Sequence, residues 1–385
     1  MNFLRRFFQH PQQLWLRRVN FQVHLWIGIV LALYLIVIGV TGSILVLRIE
    51  LGGEAPWQNF KASAPLADID TVVRNLNAAY PRSRIIQVMA PWASDHTFVA
   101  RVQGRTQIRV AAAPATGEVL GVAPRGPAWL DKVEELHVSL FLSRNGRILN
   151  GIGAAFLLLM CVTGLVNWWP GIRNWKRALK VDFRRSWRRI NFDLHSAAGF
   201  WTLALISFWA VSAIYFAWPR EVFAFVNRIS QVVNAKPPVI SVTPTSQTEE
   251  SDLNRIVRRA YIIDPGTTFA GVVFPFSRRA PLEILMRRGA GLGREYEDTL
   301  YFDPYTGAHL ATWRYGVNQS IGDWFIWSQV PMHFGVYWGL GVKIIWAVAG
   351  LAIPVLAVTG LLMYWNRALR KKWKRLRAEP QSPPA

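Results

Sequence analysis

The sequence predicts an α-helical membrane protein with four transmembrane helices in a parallel duplicated repeat, plus two small periplasmic α+β domains. Three observations carry that expectation. Hydrophobic residues make up 52% of the 385 residues and charged ones only 17%, with 19 Trp, which is too apolar for an ordinary soluble domain. Four uncharged runs each supply the roughly 20 helical residues needed to cross about 30 Å of hydrocarbon. Finally, blocks of sequence recur at constant offsets.

In order, the expected elements are a cytoplasmic N-terminal segment (1–23), a first span (24–47), a periplasmic α+β domain (48–147), a second span (148–169) and a basic cytoplasmic loop (170–194). A third span (195–218), a second periplasmic α+β domain (219–335), a fourth span (336–365) and a basic cytoplasmic tail (366–385) complete the chain. Trp168, Trp169, Trp218 and Trp365 sit at span ends, as interfacial aromatics do. No small-residue cleavage site follows the first span, which reads as an uncleaved anchor. Pro354 predicts a kink in the fourth span.

Charge sets the expected orientation. Arg5, Arg6, Arg17 and Arg18 precede the first span. Arg173, Lys176, Arg177, Lys180, Arg184, Arg185, Arg188 and Arg189 lie between the second and third. Arg367, Arg370, Lys371, Lys372, Lys374, Arg375 and Arg377 follow the fourth, and only Asp182, Asp193 and Glu379 oppose all of these. Positive residues favour the cytoplasm, which places both termini inside a bacterial inner membrane. Topology and contact with the lipid bilayer thus absorb most of the net charge of +21, leaving no case for nucleic acid as a partner.

Each outer domain opens on a helix-patterned segment, Leu66–Tyr80 and Ser251–Tyr261. Strand-patterned runs follow at Arg84–Met89, Thr97–Gln103 and Gln107–Ala112, then at Leu282–Arg287 and Thr299–Phe302. Each closes on a Thr-Gly turn, Thr116-Gly117 and Thr306-Gly307. The glycines of Gly289-Ala290-Gly291-Leu292-Gly293 read as a hairpin turn, because no helical pattern follows as a dinucleotide loop requires.

The repeat is most explicit at the spans. Arg18-Val19-Asn20-Phe21-Gln22-Val23-His24 matches Arg189-Ile190-Asn191-Phe192-Asp193-Leu194-His195, an offset of 171 that also relates Gly28 to Gly199. Val162-Thr163-Gly164-Leu165 matches Val358-Thr359-Gly360-Leu361, an offset of 196 that also relates His137 to His333. Both copies run in one direction across the membrane.

His24, His137, His195 and His333 are the histidines the repeat preserves; His10, His96 and His309 have no counterpart. A single histidine at a membrane boundary is ordinarily an interfacial residue satisfied by a carbonyl or water. Four at matched positions favour function, because ionisable groups in the membrane are costly. The lone Cys161 excludes a disulfide framework and a thiolate-held cluster within this chain. Two bis-histidine haem b groups account for all four residues, His24 with His195 on the cytoplasmic side and His137 with His333 on the outer side. The 31 residues from His137 to Trp168 would make about 46 Å of straight helix, longer than the membrane is thick, so the helix projects or breaks. Arg144-Asn145-Gly146 and Gly339-Leu340-Gly341 are the expected break points. Trp313, Tyr315, Trp324, Trp327, Tyr337 and Trp338 crowd around His333 in sequence. They read either as an interfacial belt or as the wall of a substrate site, with Trp313, Trp324, Trp327 and Trp338 the candidates for substrate contact.

The layout, the four histidine positions and the Thr-Gly-ending outer domains resemble the PepSY-associated transmembrane family, and within it the siderophore reductases of the ferrioxamine type. The resemblance covers nearly the whole chain. It implies PepSY-like outer domains, haem b held by His24, His137, His195 and His333, and a role in iron acquisition. The first outer domain departs from the pattern: Ala113-Pro114-Ala115-Thr116-Gly117 lacks the Asp of Asp303-Pro304-Tyr305-Thr306-Gly307. The function expected is an oxidoreductase that passes electrons across the membrane to a ferric siderophore and releases Fe(II), a metal-binding ferric reductase. No nicotinamide or flavin domain is evident, so the electron donor is a quinol or a separate reductase. The alternatives are a siderophore or iron permease and a non-enzymatic periplasmic binding scaffold.

Overall fold

A computed structural model describes residues 15–52, 66–91, 96–123, 127–233, 238–240, 252–289, 297–314, 316–336, 339–369 and 373. The elements in chain order begin with α1 (Trp15–Val46), α2 (Arg48–Leu51), α3 (Ile69–Ala79), β1 (Arg84–Met89), β2 (Phe98–Gln103), β3 (Gln107–Ala112) and β4 (Val119–Val122). There follow α4 (Ala128–Ser139), α5 (Ser143–Trp168), α6 (Trp175–Ala178), α7 (Trp187–Ala217), α8 (Pro219–Ile229) and α9 (Leu253–Ile263). The remainder is β5 (Thr267–Val273), β6 (Leu282–Arg288), β7 (Glu297–Phe302), β8 (His309–Trp313), α10 (Ile321–Phe334), α11 (Gly339–Gly350), α12 (Ala352–Tyr364) and a π-helical turn, Trp365–Leu369. They divide into a helical unit (Met1–Arg48, Lys132–Val222, His333–Ala385) and a sheet unit (Ile49–Asp131, Phe223–Met332).

In the helical unit, α1, α5, α7 and the segment Gly339–Leu369 are each long and apolar enough to cross a membrane. α1 packs against α5, α11 and α12, and α7 against α5 and α12, so the four spans form a ring with α1 and α7 on one diagonal. Leu35, Cys161, Ile206 and Ile353 meet at its centre, one from each span, with Leu31, Tyr34, Met160, Leu203, Trp209 and Leu356 packed around them. The helices overrun the expected spans. α1 starts at Trp15 rather than 24, and α7 at Trp187 rather than 195. Hydropathy locates the part of a helix that sits in hydrocarbon, not the polar turns that carry on beyond it. His24 and His195 therefore lie two turns or more inside their helices.

The expected breaks exist, and one of them is displaced. After α4 the chain turns at Leu140 and Phe141, which with Ser143 adopt left-handed backbone (φ 49°, 59° and 50°). Gly146 instead lies inside α5, where a Cβ would collide with the Ser139 carbonyl oxygen, so the glycine lets α4 and α5 fold tightly together. In the other copy α10 ends at Phe334, Gly335 (φ 65°) follows, and the expected Gly339 (φ 75°), also left-handed, opens α11. The fourth span is interrupted at Leu351, between α11 and α12. This is where Pro354, which lacks an N–H and crowds the carbonyl four residues back, is expected to act.

In the sheet unit, the structure replaces the two expected α+β domains with one eight-stranded antiparallel sheet, ordered β4-β3-β2-β1-β5-β6-β7-β8. Each half is a four-stranded meander whose first strand would be an open edge; pairing β1 with β5 closes both edges at once. At the seam Met89 opposes Gly271, where a side chain would meet the Val88 carbonyl oxygen at 2.7 Å. Helices α3 and α9 bury Val72, Leu76, Ile256 and Ala260 in a core with Val88, Phe98, Ile284, Leu300 and Phe302 of the strands. Their N-termini cap one another: the Asp70 carboxylate accepts from the backbone N–H of Leu253 and Asn254, and Asn254 Oδ1 accepts from Ile69 N–H. Hydrogen bonds from Asn254 and Thr71 hold the Asp68 carboxyl down at about 2. One sheet built from both segments requires an even number of membrane crossings between them, which α5 and α7 supply.

Candidate functional site

All four repeat-matched histidines belong to the helical unit. His24 lies on α1 and His195 on α7, across the diagonal of the ring. Their ring centres are 6.4 Å apart and their planes are nearly perpendicular, at 88°. His137 lies near the end of α4 and His333 near the end of α10.

Every one of the four rings is held the same way. Nδ1 of His24 is 3.0 Å from Thr163 Oγ1, that of His195 2.9 Å from Thr359 Oγ1, that of His137 2.9 Å from Thr41 Oγ1, and that of His333 2.6 Å from Ser212 Oγ. Each hydroxyl in turn donates to a backbone carbonyl of its own helix: Thr163 to Leu159, Thr359 to Val355, Thr41 to Val37 and Ser212 to Trp209. A hydroxyl has one proton. With that proton committed, the oxygen can only accept, so Nδ1 carries the imidazole proton and Nε2 keeps its lone pair. Such outer hydrogen bonds orient a metal-ligating histidine and raise its basicity.

Small residues let the rings approach the helix backbones. A Cβ at Gly164 would lie 3.3 Å from His24 Cε1, one at Gly360 3.5 Å from His195 Cε1, and one at Gly42 2.9 Å from His137 Cε1. Asn20 and Asn191, one turn before His24 and His195, donate to the carbonyls of Thr163 and Thr359 at 2.8 and 3.0 Å. Residues four apart share a helix face, so Asn and His clamp one Thr-Gly step at two points. At α4 the Asn150 amide donates to the carbonyls of His137 and Val138, capping the helix end that carries His137. His333 is flanked edge-on by Phe216 and Phe334, with ring centres at 5.1 and 5.3 Å.

A metal about 2 Å from each of two imidazole nitrogens, each nitrogen about 1 Å from its ring centre, spaces the ring centres about 6 Å apart. The His24–His195 separation fits that arrangement. Among the described residues no three His, Cys, Asp or Glu side chains converge.

Thr163-Gly164 and Thr359-Gly360 are legible in the sequence as a repeat, but not as the partners of the histidines. Thr41 and Ser212, Asn20 and Asn191, and Asn150 carried no role there. A signal existed, because Thr41 and Ser212 stand at the same offset of 171 that relates His24 to His195; exchange of Thr-Gly for Ser-Ala disguises it. Of the aromatic candidates, Trp313 lies on β8 and Trp324 and Trp327 on α10, all in the sheet unit, with Trp324 exposed. Tyr315, Tyr337 and Trp338 lie outside the described residues, as do His10, Arg5, Arg6 and the basic residues of the tail other than Arg367.

A family model described as a PepSY-associated TM region matches residues 21–367. The chain is also similar to an uncharacterized protein of Pseudomonas aeruginosa, with 26% identity over 266 residues that cover 62% of this chain. The match spans 64% of that relative's length.

Proposed function

The chain belongs to the PepSY-associated transmembrane family, and from that premise we propose that it is a haem b electron conduit of the bacterial inner membrane. In this reading it reduces a ferric siderophore of the ferrioxamine type on the periplasmic side and so releases Fe(II) for iron acquisition. The observation that carries the reading is the set of four histidines, each with its Nδ1 proton consigned to a hydroxyl and its Nε2 lone pair left free, the nitrogen that would hold a haem iron. His24 with His195 would hold one haem b, and His137 with His333 the second. A bound haem supplies reversible one-electron exchange between ferric and ferrous iron.

The chain's own residues bind, orient and insulate. The Thr and Ser hydroxyls fix ring tautomer and rotation, and Asn20 and Asn191 fix the Thr-Gly steps that carry two of them. The apolar centre around Leu35, Cys161, Ile206 and Ile353 keeps water out of the space between the two levels. That centre also supports reduction over permeation, because a bulky polar chelate would have to part it. Reduction suits the substrate: ferric iron is hard and tightly held by oxygen chelators, and the less charged ferrous ion is held weakly. The basic segments favour cytoplasmic termini and a periplasmic sheet unit, where Trp313, Trp324 and Trp327 are candidates to touch the chelate. The recurring Asn-His and Thr-Gly contacts support a parallel duplication as the origin of the two levels. The electron donor is a quinol or a separate reductase.

The test is pyridine haemochrome analysis of the fully loaded protein against its concentration, with the visible spectrum of the reduced state. Two low-spin haem b per chain are expected. One haem, or none, overturns the assignment of two pairs.

A further inference from the structure

The segment joining α5 to α7 holds a cavity of about 270 Å³, lined by Arg177, Lys180, Arg185 and Arg189 together with Asp182 and Asp193. The two carboxylates are already engaged. Asp182 takes the Nε–H of Arg185 at 2.9 Å, and Asp193 takes one terminal nitrogen of Arg189 at 2.9 Å. Each of those arginines therefore keeps further donors for a ligand. Arg177 and Lys180 make no ion pair among the described residues, so the cavity carries two uncompensated positive charges.

The cavity is anchored beside the spans. Trp168, at the end of α5, donates its indole N–H to the Ala178 carbonyl at 3.4 Å, and Trp201 of α7 donates to the Leu179 carbonyl at 3.1 Å. Both donors sit on membrane-length helices, which tie this segment to α5 and α7. Around it the large apolar side chains Ile172, Phe183 and Trp187 point into the surroundings, Phe183 with 75% and Trp187 with 64% of its surface exposed. A site for a free anion has no use for such a rim. A site whose ligand arrives attached to a bilayer does, because the rim enters the headgroup and acyl boundary as the phosphate enters the cavity.

We infer that this cavity is a binding site for the phosphate of an anionic phospholipid headgroup. Arg177 and Lys180 supply the attraction, and the free edges of Arg185 and Arg189 supply directed hydrogen bonds. The inference stands apart from the haem assignment.

The probes are short-chain phosphatidylglycerol, phosphatidylcholine of equal chain length and inorganic phosphate, each titrated onto the full-length protein in neutral detergent and read as bound adducts by native mass spectrometry. Phosphatidylglycerol should bind in preference to both of the others. The double variant Arg177→Ala/Lys180→Ala should weaken it about thirtyfold, two cations at about fivefold each near an anionic surface. The control Arg173→Ala/Lys176→Ala removes the same charge from the same segment outside the cavity and should leave binding within about threefold of the parent. All four positions are exposed, and an unchanged size-exclusion profile checks that each variant folds. Equal weakening in both variants would mean diffuse polybasic attraction and would overturn the site. Phosphate binding as tightly as the lipid would overturn the lipid as its occupant.

Discussion

His24 and His195 sit well inside helices of more than 30 residues, whereas His137 and His333 sit within three residues of the ends of α4 and α10. The hydroxyl that meets each ring is the same device in both places; the scaffolding is different. The first pair inherits its position from uninterrupted helical backbone, reinforced by Asn20 and Asn191. The second depends on terminal devices: three left-handed residues after α4, the Asn150 amide on its last carbonyls, Gly146 beneath Ser139, and Gly335 against Trp346. Strained backbone of this kind persists only where its surroundings over-determine it. A site on continuous helices is robust to its neighbours, and a site at helix ends is specified by a few residues, each separately breakable.

The largest expected effect separates the two pairs. His24→Ala or His195→Ala should abolish one low-spin component and stop reduction by the physiological donor, while dithionite still reduces the remaining haem. His137→Ala or His333→Ala should spare that first component and greatly slow reoxidation of the pre-reduced protein by ferrioxamine. Stopped-flow absorbance distinguishes them, and an unchanged reoxidation rate in the second set would reverse the roles.

Next in size is the helix-end dependence. Gly146→Ala forces a methyl group into the Ser139 carbonyl and should cost about 3 kcal/mol, seen as loss of the His137/His333 haem at temperatures where the other is retained. Gly341→Ala, at a position with open space around it, should be neutral or stabilising by up to about 1 kcal/mol. If thermal melts of the two variants coincide, the tight α4–α5 turn does not position His137.

The smallest effect concerns the hydroxyls. Thr163→Val should weaken haem retention about tenfold, the low end for an outer-shell partner, because Asn20 still ties α1 to the backbone carbonyl at position 163. Ser212→Ala leaves His333 without its hydroxyl acceptor and should weaken retention more. Haem transfer to apomyoglobin measures both rates. Equal rates would mean that the Asn20 contact contributes nothing.

The comparison also explains what was legible in the sequence. Spans are local: 20 apolar residues in a row declare themselves, and β1, β3 and α3 fell within a few residues of their expected bounds. The histidines stood out because the repeat marks them. The β1–β5 seam was not legible, because strand patterning reports which face of a strand is buried and says nothing about which distant edge it joins. The break after His137 was misplaced for a related reason. Composition points to glycine as the breaker, yet the turn is made by Leu140 and Phe141, whose left-handed backbone no composition rule anticipates.

The seam sets a schedule for biosynthesis. β1 is complete at Met89, and its partner begins only at Thr267. At about 5–20 residues per second, roughly 10–40 s of translation separate them, during which two further spans must be inserted. For that interval the first meander waits with one edge of β1 open. Another nascent chain at the same stage offers an identical edge, so dimers joined through β1 are the error this topology invites when expression is fast.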